Sequence, residues 1–385
     1  MRTPDLNWIK DPRVFQVNRQ HAYSDHIYTI GKDKKPSSFS LNGTWKFNLS
    51  KNYDSCFKFF YNTEFNDSNW NDIQVPGHIQ LQGFDNPHYT DVTYPWDGHD
   101  VAKPGQIDMD KNKVYQYRKT FDCPQDFIGN KLILSFEGAE SNIYVWLNGK
   151  FIGYAEDSFT PSRFDITKYT QEKDNVLCVR IFQKCTGTWL EDQDMWRFTG
   201  IFRDVMIYKQ PSQHIQDLKI DTDIDLDTNK SVLSCVCKMS SNESHTLQAK
   251  LYDPQGNIVW NGNMQDTFEI PVENTCLWSS EFPNLYQLEL VLYDTNNEII
   301  ESIQEQVGFR KFTLEYGIMK LNGKRIVFHG INRHEWDPKT GRCLSQDQME
   351  EDIHMLKSLN INAIRTSHYP NNSYWYKLCD QYGIY

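Results

Sequence analysis

The spacing of apolar residues changes once along this chain, after Phe309, and that change limits the possible folds more than any other feature. Up to Phe309 the apolar residues lie in short runs separated by turn residues, a pattern typical of β-strands. Beyond it, Met349, Ile353 and Leu356 recur at the spacing of one face of a helix. We therefore expect an all-β portion followed by a portion in which strands and helices alternate.

The alternating portion begins with an apolar strand at residues 324–331. Ser345 and Gln348 form a capping box for the first helix, residues 361–365 form the next strand, and Gly383 ends a second helix. Strand–helix–strand–helix at this spacing predicts a parallel sheet. A further strand starts at Ile384, and two and a fraction such units cannot close an eightfold barrel. We expect residues 309–385 to be the start of an incomplete (β/α)8 TIM barrel, cut off before its third unit is finished.

The all-β portion divides into three segments. Residues 1–39 are polar and are expected to be an irregular N-terminal segment laid over the surface. Residues 40–212 are expected to form a jelly-roll β-sandwich, since many short strands follow one another without helices and Asn148-Gly149 is a strong hairpin signal. Residues 213–308 have the length and turn spacing of an immunoglobulin-like β-sandwich.

Composition excludes several classes of function. The net charge is −11 and no Lys/Arg-rich run occurs, so nucleic acid and anionic membranes are poor partners. No apolar run reaches the length of a membrane span, and the N-terminus lacks the apolar core of a signal peptide. Nine cysteines without paired spacing fit free thiols, so we expect a cytoplasmic protein.

Two strands of the β/α portion end in similar polar clusters. The first cluster is Asn332-Arg-His-Glu335, and the second is Arg365-Thr-Ser-His368. His334 and His368 are one strand–helix unit apart, so both should lie at the carboxyl ends of adjacent parallel strands, where barrel enzymes carry their active sites. A single histidine here would more often only satisfy loop carbonyls, but the repetition favours a shared functional site.

The stretch Trp189-Leu-Glu-Asp-Gln-Asp-Met-Trp-Arg197 holds three carboxylates within four residues, between two tryptophans. Carboxylates this close raise one another's pKa unless positive charge compensates. Arg197, Arg203 or a hard cation with oxygen ligands would supply that charge. The alternative is an acidic loop that is simply hydrated.

A pair of catalytic carboxylates is not evident in the β/α portion. Retaining glycosidases need two carboxyl groups about 5 Å apart. Glu335 can equally pair with Arg333 or Arg365, and Asp337 precedes a proline and is typical of a turn.

Several stretches together resemble glycoside hydrolase family 2, and within it the bacterial β-galactosidase branch. They are Ser40-Leu-Asn-Gly-Thr-Trp45, Val75-Pro-Gly-His78, Tyr94-Pro-Trp-Asp-Gly98, Gly153-Tyr-Ala-Glu-Asp-Ser-Phe-Thr-Pro-Ser162, Trp189–Arg197, Gly200-Ile-Phe-Arg-Asp204, Asn332–Glu335 and Arg365-Thr-Ser-His-Tyr-Pro370. The resemblance covers essentially the whole chain, and it implies that the jelly-roll at residues 40–212 is of the sugar-binding, galactose-binding-like kind. The family's domain order of jelly-roll, immunoglobulin-like domain and barrel agrees with the order expected from the residue patterns.

The resemblance implies roles for four residues. Asp194 is similar to the family aspartate that binds a sodium ion and the sugar 6-hydroxyl. His334 and His368 resemble the histidines that contact the galactosyl ring and stabilise the transition state. Asp91 stands where many members have a substrate-binding Asn, so it keeps an acceptor and lacks the amide donor. The acid/base and nucleophile glutamates and the main Mg²⁺ ligands are expected beyond Tyr385.

The resemblance thus implies a retaining β-galactosidase as the parent protein, acting on β-galactosides such as lactose and assembled as a homo-oligomer. The segment by itself is expected to be inactive. Two alternatives remain at this stage: a related β-glucuronidase or β-mannosidase, and a carbohydrate-binding or assembly segment without catalysis. The stretch Trp189–Arg197 argues against both enzymes of the first alternative, because it resembles the β-galactosidase branch. Asp194 would also repel a glucuronate carboxylate unless a cation intervened.

Overall fold

A computed structural model describes residues 3–94, 103 and 105–385 of the chain. The described part is mainly β-structure: a jelly-roll sandwich, an immunoglobulin-like sandwich and the first units of a TIM barrel. The expected fold class is therefore confirmed. No helix within these described ranges is long and apolar enough to cross a membrane.

Two sheets form the jelly-roll. The larger has seven strands, in the spatial order Gln16–Val17, Lys150–Ala155, Ile143–Leu147, Asn175–Phe182, Val114–Phe121, Gly43–Ser50 and Asn71–Val75. The smaller has the order Ser162–Asp165, Lys131–Phe136, Val205–Gln210 and Ser38–Ser40. The predicted hairpin turns at Asn148 and Gly149, both with positive φ. The strand Ile143–Leu147 is buried on both faces because it is central in its sheet.

Short strand pairs and short helices accompany the two sheets of this sandwich. Two strand pairs lie at one end: Ala139–Glu140 with Gly200–Ile201, and His88–Thr90 with Met195–Arg197. The short helices are Leu6–Lys10, Gln80–Gln82, Gln125–Phe127 and Thr186–Leu190. The pair that contains Met195–Arg197 includes the end of the acidic stretch at residues 189–197.

The immunoglobulin-like unit packs a three-stranded sheet against a six-stranded one. The first contains Ile215–Asp225, Lys230–Met239 and Thr267–Glu273. The second has the order Ile258–Met264, Thr246–Tyr252, Tyr286–Tyr293, Ile299–Val307, Tyr28–Ile30 and Lys35–Pro36. All nine cysteines are free thiols, as expected.

The N-terminal segment is more ordered than the sequence predicted. Gln16–Val17 extends the larger jelly-roll sheet, and Tyr28–Ile30 pairs with Ile299–Val307 of the immunoglobulin-like unit. Ile9 is fully buried, and Trp8 stacks on Tyr144 with ring centroids 6.0 Å apart. These short strands were not expected from the sequence, because strands of two or three residues carry no periodicity. Their partners lie far away in sequence.

The β/α portion begins with a small sheet of Phe312–Glu315, Ile318–Leu321 and Lys324–Arg325. The parallel strands Gly330–Arg333 and Ala363–Thr366 follow, with helices Gln346–Ser358 and Ser373–Tyr382. The capping box at Ser345 and the left-handed Gly383 are confirmed. The strand expected at 324–331 is split, because Lys324–Arg325 pairs with Ile318–Leu321 whereas Gly330–Arg333 pairs with Ala363–Thr366. Tyr385 exchanges backbone hydrogen bonds with Asn362 and Ile364, beside the second parallel strand.

The burial of Ile9 yields a stability prediction. Ile9→Ala should lower the free energy of unfolding of the jelly-roll unit by about 2 kcal/mol or more, because it leaves a cavity in a packed site. Ile27→Ala is the matched control, since Ile27 is 65% exposed, and should change that free energy by less than about 0.5 kcal/mol. Urea unfolding followed by tryptophan fluorescence measures both. If Ile9→Ala changed the free energy of unfolding as little as Ile27→Ala does, Ile9 would not be part of the packed core.

Candidate functional site

The two histidine clusters meet at the carboxyl ends of the parallel strands. Asn332 pairs in register with Arg365, and Arg333 pairs with Thr366, so the residues that follow emerge side by side. The rings of His334 and His368 have centroids 5.3 Å apart and planes 87° apart. Nδ1 of His368 is shielded from solvent and has no hydrogen-bond partner within the described chain. The structure thus brings together the two histidines that the sequence singled out.

The jelly-roll brings Asp194 to the same place. The pKa of His334 is lowered by burial and by the neighbouring His368, while the negative charge of Asp194 acts in the opposite direction. A carboxylate from one domain therefore acts on an imidazole from another. The geometry agrees, because Trp196, two residues after Asp194, stacks on Trp336, two residues after His334, with ring centroids 6.4 Å apart.

Asp194 owes its orientation to a strand pair. Trp196 lies opposite Tyr89 in the antiparallel register, and the Tyr89 hydroxyl donates a hydrogen bond to Oδ1 of Asp194 at 2.5 Å. This hydrogen bond to the carboxylate is the main reason that the pKa of Tyr89 is raised. Tyr89 and Trp196 remain 49% and 41% exposed, so they offer aromatic faces beside the carboxylate. Aromatic faces of this kind suit the C–H faces of sugars.

The other two carboxylates of the acidic stretch point elsewhere. Glu191 accepts hydrogen bonds from the backbone and hydroxyl of Ser158, both at 2.7 Å, and burial raises its pKa to about 7. Asp192 pairs with Arg197 at 2.5 Å. The sequence therefore overstated the crowding of charge, because successive residues project in different directions. Only Asp194 of the three hydrogen-bonds the exposed Tyr89.

Asp91 lies one residue beyond the strand His88–Thr90 and is exposed. Its charge adds to that of Asp194 in raising the pKa of Tyr89, which places it on the Asp194 side of the site. Residues 95–98 of the stretch Tyr94-Pro-Trp-Asp-Gly98 lie outside the described residues. The role expected for Asp91 stays a prediction.

Glu335 has a structural role, because its carboxylate is buried and paired. Its carboxylate pairs with Arg203 of the jelly-roll at 2.7 Å and accepts from the backbone N–H of Asn372 at 2.8 Å, and it is 1% exposed. Neither Arg333 nor Arg365, the partners considered from the sequence, takes this place; Arg333 pairs with Asp352 at 2.6 Å. Asp337 accepts hydrogen bonds from the turn residues Lys339 and Thr340, as its position before a proline indicated.

Sequence reasoning missed two buried residues that join the domains here. His78 Nε2 accepts a hydrogen bond from the backbone N–H of Arg342 at 3.0 Å, and both side chains are almost fully buried. The stretch Val75-Pro-Gly-His78 contributed only to the family resemblance, and no role was expected for His78. No sequence pattern indicated that Arg342 would be buried, since a lone arginine in a loop is ordinarily a surface residue.

Models of three consecutive family domains match the chain. The glycosyl hydrolases family 2 sugar binding domain matches residues 39–211, the central family 2 domain matches 213–310, and the family 2 TIM barrel domain matches 312–385. The chain therefore belongs to glycosyl hydrolase family 2.

Curated relatives extend the likeness over the whole chain. A Halalkalibacterium halodurans protein named beta-galactosidase is 48% identical over 99% of this chain and 39% of its own length. A Leuconostoc lactis beta-galactosidase large subunit is 41% identical over 99% of this chain and 64% of its own length. The chain thus spans about two fifths of the Halalkalibacterium relative.

Solved structures share the fold. A Bacteroides uniformis beta-glucuronidase 2 superposes with a TM-score of 0.74 at 24% identity, over 90% of this chain and 41% of that one. A Ruminococcus gnavus beta-glucuronidase superposes with a TM-score of 0.73 at 21% identity, over 95% and 59%. At this identity the likeness is one of architecture.

The electrostatic coupling can be measured directly. Asp194→Asn should lower the pKa of His334 further, because it removes a charge that favours the protonated ring. His368→Ala should raise that pKa, since it removes a like charge and part of the burial. Histidine NMR titration of the chain reads both shifts, with His214 as internal reference because burial lowers its pKa to about 4 in the immunoglobulin-like unit. If Asp194→Asn leaves the pKa of His334 unchanged, the charge of Asp194 does not act on His334.

Proposed function

We propose that the whole protein containing this chain is a retaining β-galactosidase, which hydrolyses terminal non-reducing β-D-galactose residues of substrates such as lactose. The observation that carries the proposal is the convergence of Asp194, Tyr89, His334 and His368 on one exposed site between two domains. Relatives at 48% and 43% identity over 99% of this chain carry the name beta-galactosidase. A neutral, hydroxyl-rich ring suits this mixture of acceptors, imidazoles and aromatic faces.

In this proposal the described residues bind and orient the sugar. Asp194 accepts the 6-hydroxyl, and Asp91 offers a second acceptor nearby. His334 and His368 bind ring hydroxyls and stabilise charge that develops in the oxocarbenium-like transition state. We assign neither the acid/base nor the nucleophilic carboxylate to this chain, because Glu335 is held in a buried ion pair and Asp337 in a turn.

Sodium fits Asp194 as one ligand. The carboxylate is exposed, and within the described part of the chain it accepts a hydrogen bond from the Tyr89 hydroxyl. A hard cation takes oxygen ligands, and sodium can add hydroxyls, carbonyls and water to one carboxylate. When bound, it would hold the 6-hydroxyl and offset the charge of Asp194. For Mg²⁺, the described residues contain no group of three or more His, Cys, Asp or Glu that could act as ligands. We therefore assign no residue of this chain to it.

Cellular context is also a proposal. Free thiols at all nine cysteines support a reducing compartment such as the cytoplasm. We further propose a homo-oligomer for the whole protein; the designation "large subunit" of the Leuconostoc lactis relative indicates assembly in that protein. Light scattering of the whole protein measures its oligomeric state.

Substrate class can be tested with chromogenic glycosides. The whole protein should hydrolyse a β-galactoside and leave a β-glucuronide and a β-mannoside almost untouched, in line with the names of its relatives. Without sodium, Asp194 would in addition repel the C6 carboxylate of the glucuronide. Retention of anomeric configuration, followed by NMR, would support the proposed mechanism. Preferred hydrolysis of the glucuronide or the mannoside would replace this proposal with that of a related enzyme.

The role of Asp194 has its own test. In the whole protein, Asp194→Asn should raise KM for galactosides about tenfold or more and abolish activation by sodium, because it removes a charged ligand. Glu243→Gln is the control, since Glu243 lies in the immunoglobulin-like unit. Activity against sodium concentration, at fixed ionic strength, is the measurement. If the dependence on sodium is unchanged, Asp194 is a hydrated surface carboxylate and not a sodium ligand.

A second candidate function is sugar binding by this segment without catalysis, which the exposed faces of Tyr89 and Trp196 favour. Titration of the chain with galactose and lactose, compared with Trp196→Ala, distinguishes the two. Binding that is lost in the variant supports it, and no binding at millimolar sugar removes it.

A further inference from the structure

Arg342 occupies an unusual position between the jelly-roll and the β/α portion. Its side chain is 1% exposed and lies among the rings of Phe159, Phe198, Phe202 and Tyr369, with the guanidinium carbon 5.4–5.7 Å from each ring centroid. A charge in such surroundings needs partners to offset its loss of hydration. Among the described residues, its ion-pair and hydrogen-bond partners Glu140, Trp196 and His78 belong to the jelly-roll.

The guanidinium holds two points of that domain. Nη2 pairs with the buried carboxylate of Glu140. Nη1 donates to the backbone carbonyl of Trp196 at 3.0 Å. Trp196 is two residues from Asp194, within the strand Met195–Arg197 that also faces Tyr89. The planar fork of arginine can make both contacts at once, whereas a lysine cannot.

The backbone of Arg342 adds a third contact. Its N–H donates to Nε2 of His78, and the His78 ring stacks on Phe198 at 4.5 Å. Burial and the charge of Arg342 keep the pKa of His78 well below its usual value, so the ring remains neutral and accepts. The segment 196–198 is thus held at both of its ends by one residue.

On its own side, Arg342 belongs to the loop that starts at His334. Asp337 and Gly341 close this loop through two backbone hydrogen bonds of 2.8 Å, which deliver Arg342 to the interface. A short covalent path therefore joins His334 to Arg342, and hydrogen bonds join Arg342 to the segment that carries Asp194.

We propose that Arg342 is a positioning residue that fixes Asp194 relative to His334 and His368, and thereby determines recognition of the substituent at C6 of the sugar. This inference rests on the proposed function. Arg342 does not touch substrate; it sets the separation between the group that binds the 6-hydroxyl and the groups that bind the ring. Loss of the contact to Trp196 should loosen Asp194 while leaving both histidines in place.

The test compares a β-galactoside with the 6-deoxy analogue, the β-fucoside, in the whole protein. Arg342→Met should lower the ratio of their kcat/KM values about tenfold or more, mainly by reducing activity on the galactoside, because a charged hydrogen bond is no longer aligned. Arg342→Lys should have an intermediate effect. The matched control is Arg118→Met, since Arg118 is 5% exposed and pairs with Asp67 at 2.7 Å inside the jelly-roll. It should reduce stability but leave the ratio unchanged.

A folded Arg342→Met enzyme with the wild-type ratio would overturn the proposal, as would an equal loss in Arg118→Met. If Arg342→Met does not fold, Arg342→Lys decides, by the same ratio. Wild-type protein inert on both substrates would instead refute the proposed function. In that case hydrogen exchange of this chain tests the positioning itself: Arg342→Met should speed exchange of amides 189–197, and Arg118→Met should not. Equal exchange in the two variants would refute the positioning role.

Discussion

Two buried ion pairs of opposite polarity join the jelly-roll to the β/α portion, and the candidate site depends on them. In one pair the jelly-roll supplies Arg203 and the other side supplies Glu335; in the second, Arg342 reaches back to Glu140. All four side chains are buried, so each charge is costly without its partner. Removing any one partner would leave an uncompensated charge between the domains, and this makes the relative position of the domains specific.

The surroundings of these pairs are apolar and aromatic, which strengthens the electrostatic attraction and excludes water. Tyr369 stacks on Phe159 across the same interface, with ring centroids 4.5 Å apart. Arg203 also donates to the carbonyl oxygens of Phe159 and Pro370, each at 2.8 Å. The loop that follows His368 is therefore attached directly to the jelly-roll through Pro370.

The same arrangement explains why the acidic stretch could not be understood in isolation. Glu191 and Asp192 each find partners within the jelly-roll, and only Asp194 hydrogen-bonds the exposed Tyr89. A site assembled from two domains separates charges that are adjacent in sequence and brings together charges that are distant. The N-terminal segment follows the same principle on a larger scale, since its short strands complete sheets in both sandwiches.

The amino-acid sequence by itself determined the order of β and β/α portions, the helix bounded by Ser345, the hairpin at Asn148 and the pairing of the two histidine clusters. These follow from periodicity, capping and turn chemistry, which act between near neighbours. The partners of Glu335, the burial of Arg342 and the strands of the N-terminal segment were decided only by the tertiary structure. The ion pairs Arg203–Glu335 and Glu140–Arg342 and the pairing of Gln16–Val17 with Lys150–Ala155 all join residues more than a hundred positions apart. Local sequence patterns give no information about contacts over such separations.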